Sequence, residues 1–213
     1  MKNLKMLGLA AAAALALTAL IGVSSASATV LCSEYTRECP AGKGYGSGTV
    51  IDATMEAGTS SVIRDTAGTV LATCTGGTFK GETTGAGTKE TAVPGVLQSL
   101  TFTGCAQTLT VLKTGKMNIL YAGPNTNGTL TFAETRLTVT SAGQSCVYTT
   151  GVGIHVAVMT SDESLTYPKV HVNATLTKET GGASCQAHVV WQAAYQITSP
   201  KPLYFKKTME AEC

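Results

Sequence analysis

Charge, aromatic rings and histidine are all scarce in this chain: charged residues make up 13% of 213 positions, aromatics 6%, and there are three histidines and one tryptophan. No stretch gathers Lys or Arg densely enough to follow a phosphate backbone, which argues against nucleic acid as a partner. C-x-x-C is missing, so a zinc knuckle or a thioredoxin-like redox pair has no support. G-x-S-x-G is missing too, and with it the strand-to-helix elbow of a serine hydrolase. Beyond residue 23 there is no long apolar run and no sustained helical period. The acidic residues are scattered, singly apart from Asp162-Glu163, and mostly in turns, as solubility alone would place them.

What is present begins with a leader. Lys2 and Lys5 precede an apolar run from Met6 to Val23, and small residues end it at Ala26-Ser27-Ala28. That order predicts a secretory signal peptide over residues 1–28, cut after Ala28. A retained span is the competing reading, since the run is close to the minimum length for crossing a bilayer, but the A-x-A site favours cleavage. Leu31 stands before Cys32 where a lipid-anchored signal wants a small residue, so no lipid anchor is expected. The remaining 185 residues, 29–213, hold 13 basic and 13 acidic side chains. They are enough for one domain with a sizeable core.

Alternation is the clearest pattern. From Cys185 to Thr198 the odd positions are Cys185, Ala187, Val189, Trp191, Ala193, Tyr195 and Ile197, and the even ones are mostly polar. Only a strand turns alternate residues to opposite faces, so the odd face should close a core around Trp191. Similar short strands are expected all along the chain, among them Thr49 to Met55, Thr69 to Cys74, Thr78 to Thr83, Arg136 to Ser141, Val152 to Met159 and Lys169 to Thr177. Asn127-Gly128 reads as a hairpin turn and Gly76-Gly77 as a weaker one. The expected fold is an all-β, disulfide-braced antiparallel β-sandwich, immunoglobulin-like or related, as a single domain over 29–204 with a C-terminal tail over 205–213.

Seven cysteines follow the leader, which in an exported chain reads as a disulfide framework with one thiol left over. The expected pairs are Cys32 with Cys39, Cys74 with Cys105, and Cys146 with Cys185, leaving Cys213 unpaired. Cys74 and Cys185 share parity with core residues and should point inward, the latter bridge packing against the indole of Trp191.

Thirty-four threonines lie between Thr29 and the C-terminus, several in T-x-T pairs such as Thr108/Thr110 and Thr138/Thr140. A repeated flat array of such pairs could match an ice lattice, but these do not recur at a fixed period. Strand preference explains them. His155 and His171 fall on the wet faces of their strands. If those strands form a hairpin that sets Ile154 opposite Val172, the two imidazoles face each other and could form a weak divalent-metal site; Asp162 and Glu163 lie too far along the loop to complete it. No cofactor is expected.

Val190 to Tyr204, VWQAAYQITSPKPLY, together with Leu31-Cys32, Cys39-Pro40 and the Leu100 to Cys105 segment LTFTGC, resembles a group of uncharacterised secreted proteins from high-GC Gram-positive bacteria. The resemblance covers most of the chain after the leader and implies export without implying an activity. The expected function is a secreted or cell-surface, non-catalytic binding or structural module, with an extracellular ligand or cell-envelope component as its partner. The alternative is a secreted hydrolase whose site assembles only in three dimensions.

Overall fold

A computed structural model describes residues 27–209, apart from 88–90, 124–126, 142 and 162–163; for residues 27, 28, 123, 127, 155 and 207–209 it describes the backbone alone. The described chain is all-β and antiparallel, and three disulfides brace it. Among the described residues no helix is long and apolar enough to cross a membrane.

The main sheet is a meander. β3 (Val50–Met55) and β4 (Ser61–Asp65) lie end to end in one ladder position, each flanked by the same two strands, β5 (Val70–Thr83) and β14 (His188–Ser199). β6 (Val93–Cys105) follows β5. Three positions are then occupied by strands broken at mid-height: β7 (Thr108–Lys113) with β8 (Lys116–Gly123), β9 (Asn127–Ala133) with β10 (Arg136–Ser141), and β11 (Gln144–Thr149) with β12 (Ile154–Thr160). β13 (Lys169–Thr180) pairs with β11 and β12 on one side and with β14 on the other. At the end holding β8, β9 and β12 the hydrogen-bonded ladder therefore returns to its start. At the other end β7 pairs only with β10 among the described residues, and the body is a two-sheet sandwich open along β6 and β7. Within the sandwich class this is a meander order, where an immunoglobulin-like domain carries Greek-key connections.

The three breaks meet at a waist. Gly115 has φ +85°, and a Cβ there would lie 2.1 Å from the Ala133 carbonyl oxygen, so the close crossing requires glycine. Opposite it, Glu134 adopts φ 62°. Thr135 and Thr150 supply the partners that the interrupted ladder lacks: the Thr135 N–H donates to the Thr150 hydroxyl at 3.0 Å, and the Thr150 N–H donates to the Thr135 backbone carbonyl at 3.0 Å.

The alternation expected around Trp191 holds. Val189, Trp191, Ala193, Tyr195 and Ile197 are all buried on one face of β14. The indole N–H donates to Ser61 Oγ at 2.8 Å, and the ring meets Phe102 edge to face at 5.8 Å.

Several expectations need correcting. Gly76-Gly77 is not a turn: β5 runs straight through it, and a Cβ on Gly77 would stand 2.6 Å from the Thr101 carbonyl oxygen on β6. These glycines permit a close strand approach. Asn127-Gly128 opens β9, already paired with β8, and Gly128 lies against the Phe205 ring. In β12 a register shift between His155 and Ala157 buries both Val156 and Ala157, so Met159 turns inward and Val158 outward, the reverse of simple alternation. Val152 is outside the strand and fully exposed.

The tail expected from residue 205 is strand β15 (Tyr204–Met209), paired along its length with β1 (Ser27–Cys32). With β2 (Gly44–Tyr45) these form a small second sheet. It sits against the closed end of the body, where Leu31, Leu203 and Phe205 are fully buried in the common core.

Candidate functional site

At the open end, the β10–β11 hairpin stands opposite the start of β5, and the loop leading into β14 crosses beside it. Together they line a half-open pocket of about 220 Å³. Its floor is Leu71, Val139 and Tyr148, its side wall is the Cys146–Cys185 bridge, and its rim is Ser141, Gln144, Ser184 and Gln186. β10 and β11 place the floor by register: Val139 is paired with Cys146 and Leu137 with Tyr148, so alternate residues of the hairpin share the inner face. Leu71 reaches the same space because the ladder between β4 and β5 shifts between Ile63 and Arg64, where Ile63 pairs with Ala72 and Arg64 with Val70.

The crossing loop is tightly fastened. The Cys185 N–H donates to the Gly182 carbonyl at 3.1 Å, the Lys178 ammonium donates to the Cys185 carbonyl at 3.0 Å, and the Ser184 hydroxyl donates to Gln144 Oε1 at 3.3 Å. Gly181, at φ +136°, leaves no space for a side chain, since a Cβ would come within 2.5 Å of Cys185 Sγ. Burial pushes the Tyr148 phenol above its ordinary pKa, with the Gln186 backbone bond to it acting in the opposite direction. The floor is therefore neutral at physiological pH.

The cysteines pair as Cys32–Cys39, Cys74–Cys105 and Cys146–Cys185. Cys74 and Cys185 are buried, in keeping with their parity. The second bridge joins directly paired residues of the adjacent strands β5 and β6, not strands further apart. The third joins β11 to the loop before β14, and the close ring neighbour of the indole is Phe102. Cys213 lies outside the described residues, as do Asp162 and Glu163.

The ladder does not set His155 across from His171. His171 is opposite Val158, and His155 is opposite Thr131 on β9. The bulge in β12 and a register three residues away from the expected one separate them, so the juxtaposition that suggested a divalent site does not form. Among the described residues no group of three or more His, Cys, Asp or Glu is placed to hold a metal ion.

The described carboxylates other than Glu38 are engaged in ion pairs or hydrogen bonds. Glu34 meets Lys43 at 2.7 Å, Glu56 meets Lys169 at 2.6 Å, and Glu134 meets Lys113 at 2.6 Å and Lys116 at 3.1 Å. Asp52 faces Lys80, Glu179 faces Arg136, and Glu82 accepts from Gln98. Asp65 accepts from the Ala67 and Thr69 N–H groups at 2.9 and 2.8 Å, closing its own turn. Two of the T-x-T pairs do come together: Thr108 and Thr110 on β7 stand opposite Thr140 and Thr138 on β10. The Thr140 hydroxyl is bonded to Ser145 at 2.8 Å. What sequence reasoning missed is the pocket itself, because its nine lining residues come from three separate stretches and carry no catalytic motif.

No protein-family model, curated protein or solved structure matches the chain.

Proposed function

We propose that the protein is an exported, non-catalytic binding or structural module that works outside the cell or at its surface, with an extracellular ligand or cell-envelope component as its partner. The observation that carries this reading is the placing of three disulfides: Cys32–Cys39 at the small sheet, Cys74–Cys105 between β5 and β6, and Cys146–Cys185 beside the pocket. Bridges distributed in this way suit an oxidising compartment. The predicted leader and the resemblance to secreted proteins of high-GC Gram-positive bacteria agree with export. A hydrolase reading has less support, because no Asp, Glu or His lines the pocket and the described carboxylates other than Glu38 are held in ion pairs, hydrogen bonds and turns.

The test is to express the chain with its own leader and recover it from the medium or envelope fraction. The expected product starts at Thr29, lacks free thiols at the six paired positions, and co-sediments with purified envelope while leaving glycosidic and ester reporters unhydrolysed. Retention inside the cell in reduced form, or turnover of a reporter, would overturn the proposal.

A further inference from the structure

The pocket carries a statement about its occupant. None of its nine lining residues bears a charge at neutral pH: three are apolar, two form a disulfide, and four offer hydroxyl or amide groups at the rim. The nearby Lys178 ammonium already donates to the Cys185 carbonyl at 3.0 Å. An ion entering would lose hydration and find no charged group among the lining residues. The volume of about 220 Å³ compares with roughly 150 Å³ for an apolar cavity that takes up benzene.

We propose that this pocket binds a small uncharged molecule, burying one ring-sized apolar group on Leu71, Val139 and Tyr148 and engaging its polar end with the hydroxyls and amides of Ser141, Gln144, Ser184 and Gln186. The proposal deepens the binding-module reading and rests on it. The ligand's body displaces water from the apolar floor, and its head replaces that water's hydrogen bonds at the rim. The Cys146–Cys185 bridge keeps the site formed when it is empty, because it ties the crossing loop to β11.

The experiment uses the disulfide-intact exported protein and four probes that share one ring: benzyl alcohol and benzamide, which are neutral, and benzoate and benzylammonium, which are charged. Saturable NMR shifts are expected at the Leu71 and Val139 methyls and the Ser184 and Gln186 amides with the neutral probes, and binding at least tenfold weaker with the charged ones. Val139→Phe fills the floor and should lose the neutral probes by more than tenfold. Ser141→Phe blocks the rim without touching the floor and should do the same, so the proposal stays testable should the first variant fail to fold. Absent or unsaturable shifts, shifts centred elsewhere, equal binding of charged probes, or indifference to the blocking substitutions would overturn it. Envelope sedimentation of the unmodified protein reports separately on the module reading. A protein that sediments but ignores the probes refutes only the pocket, and one that takes the probes but does not sediment refutes only the envelope partner.

Discussion

Trp191 and Tyr195 lie on the same buried face of β14, yet their polar tips meet opposite fates. The indole N–H has Ser61 at 2.8 Å, whereas the Tyr195 hydroxyl is buried with no hydrogen-bond partner and its pKa is driven far up by desolvation. A buried polar group without a partner costs stability, and one with a partner costs stability when the partner is removed. Tyr195→Phe should therefore leave stability unchanged or raise it by up to about 1 kcal/mol, while Ser61→Ala should lower it by about 1 to 3 kcal/mol. Urea midpoints of the two variants decide this; a clear loss in Tyr195→Phe would mean that the hydroxyl does have a partner. At the surface, Asp65 has a lowered pKa, chiefly through the Thr69 N–H. A lowered folded pKa gives stability that is present above the ordinary carboxylate range, near pH 4, and lost as pH falls through the folded value. The stability gap between the parent and Asp65→Ala should accordingly stay constant above about pH 4 and close below it, as acid-range melts would show. The burial of Trp191 was legible from alternation alone; the orphaned phenol was not, because it depends on what stands across the core.

Strands were legible where side chains alternate cleanly and illegible where backbone sterics decide. β10 runs from Arg136 to Ser141, the bounds that its alternation suggests. Gly76 and Gly77 carry the composition of a turn, and only the neighbouring strand β6 reveals that they are there for clearance. Gly77→Ala should consequently behave as an overpacked core substitution, costing about 1 to 3 kcal/mol, while Gly46→Ala, with nothing within 4 Å of its added Cβ, should change stability by no more than about 0.5 kcal/mol. Thermal melts of the pair check this, and equal midpoints would mean that β5 and β6 do not pack as closely as described. The small sheet of β1, β2 and β15 escaped sequence reading for another reason. Its strands are short and its pairing joins the two ends of the chain, so no local pattern reports it; Phe205 looked like part of a tail and is fully buried.

Over the whole molecule, the three bridges close loops of very different length, with separations of 7, 31 and 39 residues. In the chain-entropy account they contribute about 2, 4 and 4 kcal/mol. Replacing Cys74 and Cys105 together, or Cys146 and Cys185 together, by Ala should lower the denaturation midpoint more than replacing Cys32 and Cys39. Matched guanidinium titrations would show it, and an equal loss at all three pairs would mean that native-state packing, not loop length, sets their worth. The pairing could be read from spacing and parity, but the topology it serves could not, since parity says which face a cysteine takes and nothing about which strand lies beside it.

The strand that opens the described chain pairs with the one that ends it, Thr29 with Lys207 and Cys32 with Tyr204, and β14 meets β3 across a separation of well over a hundred residues. Such contacts make the search for the native state long, because widely separated segments must find each other before any reward is gained. A chain emerging from one end cannot seal the body until its last strand is out, since the core residue Phe205 belongs to that strand. Under the export proposed above, the same property would act as a delay: a body whose first and last strands pair cannot complete its fold until both have crossed the membrane.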